Sequence, residues 1–563
     1  MSSSRRPCGP GLVCLVAALA VAPTQATLAA APAAPSEPPR FAERAADLGI
    51  DFRYLHFGTG EKYMPENMSP GVAILDYDGD GRLDVYIVQG APIGPESVRP
   101  DPAVTNRLFR QGLDGRFEDV TARAGAGDPG YGVGTSYADV DGDGWLDLFV
   151  TNYGPNALYR NRGDGSFEEV SAAAGVDSPL WGVGSGFFDP DGDGDMDLFV
   201  VNYVDFSFTN HKWCGNAQSG VRAYCHPDVY NGIPDLFYVN EGGRFTEAGA
   251  AAGLVASDAD KGLGVGFSDF DGDGDADAYV ANDSTMNYLY LGDGKGDFME
   301  GALLAGVGFN GAGGAEASMG IEIGDLDGDG RDEIFVTHLD QETNTLYRDL
   351  GGGLYTDVTD SSGLATPSLP WVGFGNLFLD HDHDGDLDIF VANGHIIDNI
   401  DLFDATRSWR QPAQLFDNLG GGRFREISET LGLGEPLVGR GVGGGDLDGD
   451  GDLDLVVAQN VGPALLLVNL AGSESGNWLM VRPRGRPGNP LAFGARLTLD
   501  SGDRTQSRPV LSSRSYASQS APEVHFGLGD AKQADRLTVR WPGGRRTRYG
   551  ALRAGAYYVV PQP

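Results

Sequence analysis

The sequence predicts an all-β fold, a seven-bladed β-propeller followed by a small β-rich C-terminal domain. Two observations carry this expectation: a nine-residue acidic loop that recurs seven times, and the apolar strand and Gly-rich hairpin that follow each copy. Many short sheets closed into a ring leave no long open sheet edge, which makes a propeller the natural home for such a repeat.

Each loop has acids at positions 1, 3, 5 and 9 and Gly at 6. The first copy holds Asp76, Asp78, Asp80 and Asp84, and the second Asp139, Asp141, Asp143 and Asp147. The third holds Asp189, Asp191, Asp193 and Asp197, and the fourth Asp269, Asp271, Asp273 and Asp277. The fifth uses Asp325, Asp327, Asp329 and Glu333, and the sixth Asp380, Asp382, Asp384 and Asp388. Asp446, Asp448, Asp450 and Asp454 form the seventh. Alternate carboxylates on a tightly turning loop converge on one point, where a hard cation that takes oxygen ligands would sit, so Ca2+ is expected at up to seven sites. Position 7 (Arg82, Trp145, Asp195, Asp275, Arg331, Asp386, Asp452) has no fixed chemistry, as a ligand contributing only its backbone carbonyl requires. The sixth loop is the candidate for an empty one, because His383 replaces the Gly found at position 4 elsewhere.

An EF-hand needs Glu at position 12 and then a helix. Here position 12 is Ile87, Val150, Val200, Val280, Val336, Val391 or Val457, and the loops run into segments such as Asp147-Leu-Phe-Val150 that read as strands buried on both faces. Leu158-Tyr-Arg-Asn161, Gly163-Asp-Gly165 and Phe167-Glu-Glu-Val170 then form the clearest hairpin. With the strand entering each loop, every unit has four strands. The seventh unit lacks its aromatic outer strand, whereas Phe41-Ala-Glu near the N-terminus resembles the segment beginning at Phe117, so the N-terminal strand is expected to close the ring.

The organisation read from the chain is a signal peptide over 1–30, with Arg5 and Arg6 before an apolar run, an Ala/Pro-rich linker over 31–39, the propeller over 40–470 and the last domain over 471–563. Signal removal takes Cys8 and Cys14 with it. Cys214 and Cys225, in an insertion at 205–233, are then expected to form a disulfide in an oxidising compartment, with a Zn or Cu site using His211 and His226 as the alternative. No other segment reads as membrane-spanning. The net charge of -40 is uneven: from residue 471 onward 14 Lys+Arg face 6 Asp+Glu, a net +8, so the remainder carries -48. That surface excludes nucleic acid as a partner.

The loops and hairpins resemble the FG-GAP/VCBS repeats of integrin α propellers. A closer resemblance rests on Ser318-Met-Gly320, Asn393-Gly-His395, Arg440-Gly441 and Cys225-His-Pro227 in the repeats. Phe493-Gly-Ala-Arg496, Ser518-Gln-Ser520, His525-Phe-Gly-Leu-Gly529 and Val539-Arg-Trp-Pro542 continue it at the C-terminus. These are similar to the cartilage acidic protein family with its ASPIC/UnbV domain. The resemblance implies a secreted or periplasmic calcium-binding protein and brings no catalytic residue to transfer. His226 departs from it, since such proteins more often have Gly there.

The expected role is a binding or adhesion scaffold for an extracellular protein or glycan, with the ligand surface on loops at the far ends of the strands: Asn152, Tyr153, Asn202, Tyr203, Asn282, Asp283, His338, Asn393 and His395. Asn and His at such places also serve simply to satisfy turn backbones. An enzyme of another class, a polysaccharide lyase or redox protein working in the axial pocket, requires His338, His395 and Arg440 to converge. No Gly-x-Ser-x-Gly, His-Glu-x-x-His or nucleotide-loop motif supports it. A third reading has the basic C-terminal domain, densest at Arg545, Arg546 and Arg548, binding an anionic surface or pairing with the chain's own acidic repeats.

Overall fold

A computed structural model describes residues 40–95, 97–98, 104–257, 260–471 and 475–563; the expected signal segment and linker lie outside the described residues. From Arg40 onward the chain forms one compact unit. It is all-β, and its α-helices are single turns such as Thr121–Ala124 and Ser171–Ala174. Among the described residues no helix is long and apolar enough to cross a membrane.

The second acidic loop shows how each unit is built. Gly132–Ala138 enters the loop and Asp147–Asn152 leaves it, both buried throughout, as β-branched and aromatic residues covered on two faces must be. Ala157–Asn161 pairs next, and Phe167–Glu169 forms the outer edge with its Phe buried and its acids turned outward. Gly163 and Gly165 supply the positive φ of the hairpin between them, 71° and 82°.

Seven such four-stranded antiparallel sheets occur, consistent with a β-propeller. Each outer strand opens with a buried aromatic: Phe117, Phe167, Phe245, Phe298, Tyr355, Phe424 and, in the last sheet, Phe41. The last aromatic arrives from the other end of the chain, because Phe41–Glu43 pairs antiparallel with Leu467–Asn469. The loop-entry strands are Val72–Leu75, Gly132–Ala138, Gly182–Phe188, Gly262–Ser268, Ile321–Gly324, Gly373–Leu379 and Gly439–Gly445. Each packs beside the next, and the last returns to the first, so their contacts run in a cycle.

Residues beyond 475 make a four-stranded sheet from Arg496–Ser501, Arg504–Pro509, Arg536–Arg540 and Arg546–Tyr549. A three-stranded sheet comes from Asn477–Arg484, Val524–Gly529 and Ala556–Pro561. Their apolar sides, with Phe493, Phe526 and Trp541, join one core with Tyr137 and Phe149 of the second sheet.

The connection Ser513–Ala521 lies inside the ring and bonds the loop-entry strand of every sheet. Ser513 Oγ donates to Val265 O (2.8 Å) and Ser185 O (3.2 Å). Ser515 exchanges backbone bonds with Ile321, and its Oγ accepts from Asn376 N–H. Thr135 N–H donates to Ala517 O, Val72 N–H to Ser518 Oγ and Gly444 N–H to Ser520 Oγ. Gln519 joins Val72 and Ile74 through its backbone, and its Oε1 accepts from Tyr137 N–H at 2.8 Å. Glycine permits this approach: a Cβ on Gly441 would stand 2.3 Å from Ser518 Oγ, and one on Gly71 1.9 Å from Ala517 O.

Two stability effects follow from these contacts. Deleting residues 40–50, which bury Phe41, Ala45 and Ile50, is expected to lower the melting temperature by roughly 10 °C; calorimetry finding no change would show that the last sheet does not need this strand. Gln519→Ala, which strands Tyr137 N–H in the interior, should destabilise by about 1–3 kcal/mol in urea unfolding, whereas Arg545→Ala at the surface should leave the midpoint within error.

Candidate metal centres

The acidic loops are shaped by their own carboxylates. In the second, Gly144 N–H donates to Asp139 (2.9 Å), Asp143 N–H to Asp141 (3.3 Å) and Trp145 N–H to Asp143 (2.9 Å). Asp147 accepts from Val140 N–H (2.9 Å) at the loop's start and Asn161 N–H (2.7 Å) on the third strand. The same stitching recurs around Asp76, Asp78, Asp80 and Asp84, around Asp269, Asp271, Asp273 and Asp277, and around Asp446, Asp448, Asp450 and Asp454.

These bonds leave oxygens over. Asp76 Oδ1, Asp139 Oδ1, Asp197 Oδ2, Glu333 Oε1 and Asp380 Oδ1, from five different loops, are buried without a hydrogen-bond partner. Asp76/Asp78/Asp84, Asp139/Asp141/Asp147, Asp189/Asp191/Asp193 and Asp269/Asp271/Asp273 each bring oxygens within 4.8 Å of one another, the widest spacing two ligands of one calcium at about 2.4 Å can have. An all-oxygen, multiply charged donor set of this kind fits calcium. Burial pushes Asp84, Asp147, Asp197 and Asp277 up to about 8, and their loop neighbours' charges push the same way. A bound divalent ion would reverse that by favouring the ionised form.

Position 7 side chains go their separate ways. Arg82 and Arg331 turn back onto Asp80 and Asp329, Asp195 accepts from Gly242 N–H, Asp386 meets Arg504 at 2.6 Å, and Asp452 lies 2.9 Å from His383. Trp145 fills the space beside Gly163. The first and fifth loops receive further cations from the third strands of their sheets, Arg110 on Asp78 and Asp80 and Arg348 on Asp327. The sixth is different again. His383 takes φ 63°, where the equivalent Gly79, Gly142 and Gly449 have 72°, 72° and 81°. His381 Nδ1 stands 2.6 Å from Asp388 Oδ2, which engages an oxygen that position 9 would otherwise offer.

Sequence reasoning missed a link from five of the seven loops to a neighbouring sheet. Asn161 Nδ2 donates to Tyr77 O (2.8 Å), Asn240 Nδ2 to Val140 O (2.8 Å), Asn418 Nδ2 to Leu326 O (2.9 Å) and Asn469 Nδ2 to His381 O (3.1 Å). Gln111 takes the same place on Leu447 O. In each case the third strand of one sheet holds position 2 of the preceding sheet's loop. Because the same residue's N–H also binds position 9 of its own loop, two acidic loops are joined through one residue. The signal was present as a recurring Asn at the end of the third strand.

The chain matches the FG-GAP-like repeat family over residues 76–150, 139–200, 269–336, 325–391 and 399–457, and ASPIC and UnbV over 485–563. It is an FG-GAP repeat protein that carries an ASPIC and UnbV domain. Mouse cartilage acidic protein 1 is 27% identical over 497 residues, 85% of this chain and 71% of the mouse protein; the human protein is 29% identical over 276 residues, 47% and 39%. The chain thus spans well under half of the human relative in that alignment. An Agrocybe aegerita lectin recognising non-reducing terminal N-acetylglucosamine overlaps at TM-score 0.36 and 16% identity, over 66% of this chain and 89% of the lectin. Bacillus licheniformis rhamnogalacturonan lyase overlaps at TM-score 0.36 and 13% identity, over 77% and 76%. Neither overlap bears on function.

For this family member the expected ligand face needs correction. Asn152, Asn202, Asn282 and Asn393 are buried, and their amides donate to Pro155 O, Pro234 O, Met286 O and Pro412 O, so they hold turns. Tyr203 is buried with its hydroxyl 2.5 Å from Asp283 Oδ2, and Tyr153 packs edge-on to Trp181. His338 is enclosed between Thr343 O and Ser318 Oγ, and His395 Nδ1 accepts from Ile397 N–H. Arg440, fully buried, gives its donors to Asn67 O, Gly394 O and Gly439 O and lies 3.9 Å over the Phe374 ring. Cys214 and Cys225 are bonded to each other, which removes the thiolates a Zn or Cu site would use.

The C-terminal arginines pair with the acidic loops, as one reading of their charge anticipated. Arg540 donates to Asp269 Oδ2 at 3.0 Å, Arg496 binds Asp332 and Arg504 binds Asp386. Arg546 and Arg548 share a cleft with Asp269, Asp271 and Asp349.

The raised carboxylates set a pH dependence. A group whose folded value lies near 8, against 3.8 unfolded, withdraws stability as pH rises through that interval. Chelator-treated protein should therefore melt at higher temperature at pH 6 than at pH 8, and added calcium should raise the melting temperature most at pH 8. Chelation without effect at either pH would contradict the metal assignment.

Proposed function

We propose that this chain is an exported, calcium-stiffened, seven-bladed β-propeller, completed by its C-terminal domain, that works as a binding or adhesion module for an extracellular protein or glycan. The observation that carries the reading is the linkage of five of the seven carboxylate loops to the next sheet through Asn161, Asn240, Asn418, Asn469 and Gln111. Calcium held in such loops would brace neighbouring sheets and leave the remaining loops to present a surface on a rigid frame. The disulfide favours an oxidising compartment, and the name of the cartilage relatives is in keeping with an extracellular setting.

The surface best suited to a ligand is formed by three tied segments, residues 54–67, 205–233 and 396–411. Lys62 meets Asp398 at 2.6 Å, Arg222 meets Glu61 at 2.5 Å, and Asn399 Nδ2 donates to Arg222 O at 2.9 Å. Trp213, Leu402 and Phe403 stand exposed on this platform; an exposed aromatic on an ordered base is the usual anchor of an interface. An enzyme using an axial pocket finds no support, because Ser513–Ala521 takes up the axis and His338, His395 and Arg440 are each buried in structural bonds.

The test is capture on glycan and extracellular-protein arrays with calcium or with chelator. Capture should require calcium, and Trp213→Ser with Phe403→Ser should weaken it by about ten-fold or more while the calcium-dependent melting shift stays intact. Unchanged capture by the double variant would remove the platform from the site, and capture indifferent to chelator would defeat the calcium-braced reading.

A further inference from the structure

On the opposite side, where the seventh and first acidic loops approach the C-terminal domain, lies a half-open cavity of about 450 Å³. That volume falls in the range of small-molecule sites, roughly 300–1,000 Å³. Its wall is mainly apolar, from Leu377, Phe378, Leu447, Leu453 and Met480, with Asp446 and Asp448 of the seventh loop and Glu523 also lining it, and its mouth carries the exposed Leu113 and Val559.

Three guanidinium groups reach this wall, and they are in different states. Arg82 is turned back onto Asp80 and Gln111 O. Arg482 is satisfied by Glu523 at 2.5 Å. Arg514 comes from the axial segment itself and is four-fifths buried. Its only charged neighbour within ion-pair reach is Glu322, 3.7 Å away, and its side chain donates no hydrogen bond among the described residues. Glu322 has neither oxygen hydrogen-bonded, and burial pushes its carboxyl up to about 7, which leaves Arg514 weakly compensated. A largely buried guanidinium with unused donors, set in an apolar wall, is a receptor for a planar anion.

We propose that this cavity binds a small amphipathic carboxylate, with its apolar body against Leu377, Phe378, Leu447, Leu453 and Met480 and its anionic head on Arg514. The site is independent of the platform across the ring, so either can fail without the other.

Isothermal titration of the full exported chain in calcium, with 4-phenylbutyrate and its neutral amide as probes, tests the assignment. The acid should bind about ten-fold or more tightly than the amide, the margin expected for a charge-assisted bond. Arg514→Gln should bring the acid down to the amide's affinity, and Met480→Trp, which fills the cavity, should abolish binding of both. The calcium-induced melting shift reports that each variant is folded. Equal affinity of acid and amide for the unaltered protein, absence of binding by either, or undiminished acid binding by a folded Arg514→Gln would each overturn the proposal.

Discussion

Seven times along the chain, four carboxylates are drawn together by the backbone N–H groups of the turn they shape, and the proposed role of calcium is to neutralise that crowding. The N–H bonds use one oxygen of a carboxylate and leave the other turned inward without a partner, as at Asp139 and Asp76. Like charges held this close in partly buried positions repel strongly. In the proposed reading a divalent ion relieves that repulsion, and the consequence spreads because five third-strand residues each bond position 2 of one loop and position 9 of another.

The repeat was legible in the sequence because its chemistry is local. Acid spacing, the Gly at position 6 and the apolar strand after it depend on nearest neighbours, so the loops, the strand order within a sheet and the pairing of Cys214 with Cys225 could be anticipated. The missing aromatic of the last unit even pointed to Phe41 across more than four hundred residues. What could not be read was which polar residues face inward. Asn152, Asn202, Asn282 and Asn393 follow strands in the manner of binding-loop residues, but a buried turn needs donors for its carbonyls, and the short amide side chain meets that need first. The axial course of Ser513–Ala521 was hidden for a related reason: a run of small polar side chains has no periodicity, and its partners are backbone groups on seven separated strands.

Charge follows a similar division of labour. The basic C-terminal segment and the acidic repeats, so unequal in the sequence, meet where Arg496, Arg504 and Arg540 reach Asp332, Asp386 and Asp269. These contacts, the shared apolar core and the axial segment make the final ninety or so residues part of the ring's construction. The surfaces proposed for partners lie elsewhere, on the platform of inserted segments and in the cleft that Arg514 overlooks.

The course of the axial segment also fixes an order of events. A sheet completed by residues 41–43 and 467–469, around an axis that residues 513–521 occupy, cannot be finished by any nascent chain shorter than almost the whole polypeptide. Early sheets emerge with their inner edges unsatisfied and must wait for the last segment to be synthesised, so folding is governed by contacts of very long sequence separation, and such assembly is slow. Premature termination anywhere before residue 521 would yield a bracelet without its pin, and quality control acting on newly made chains would meet this protein late.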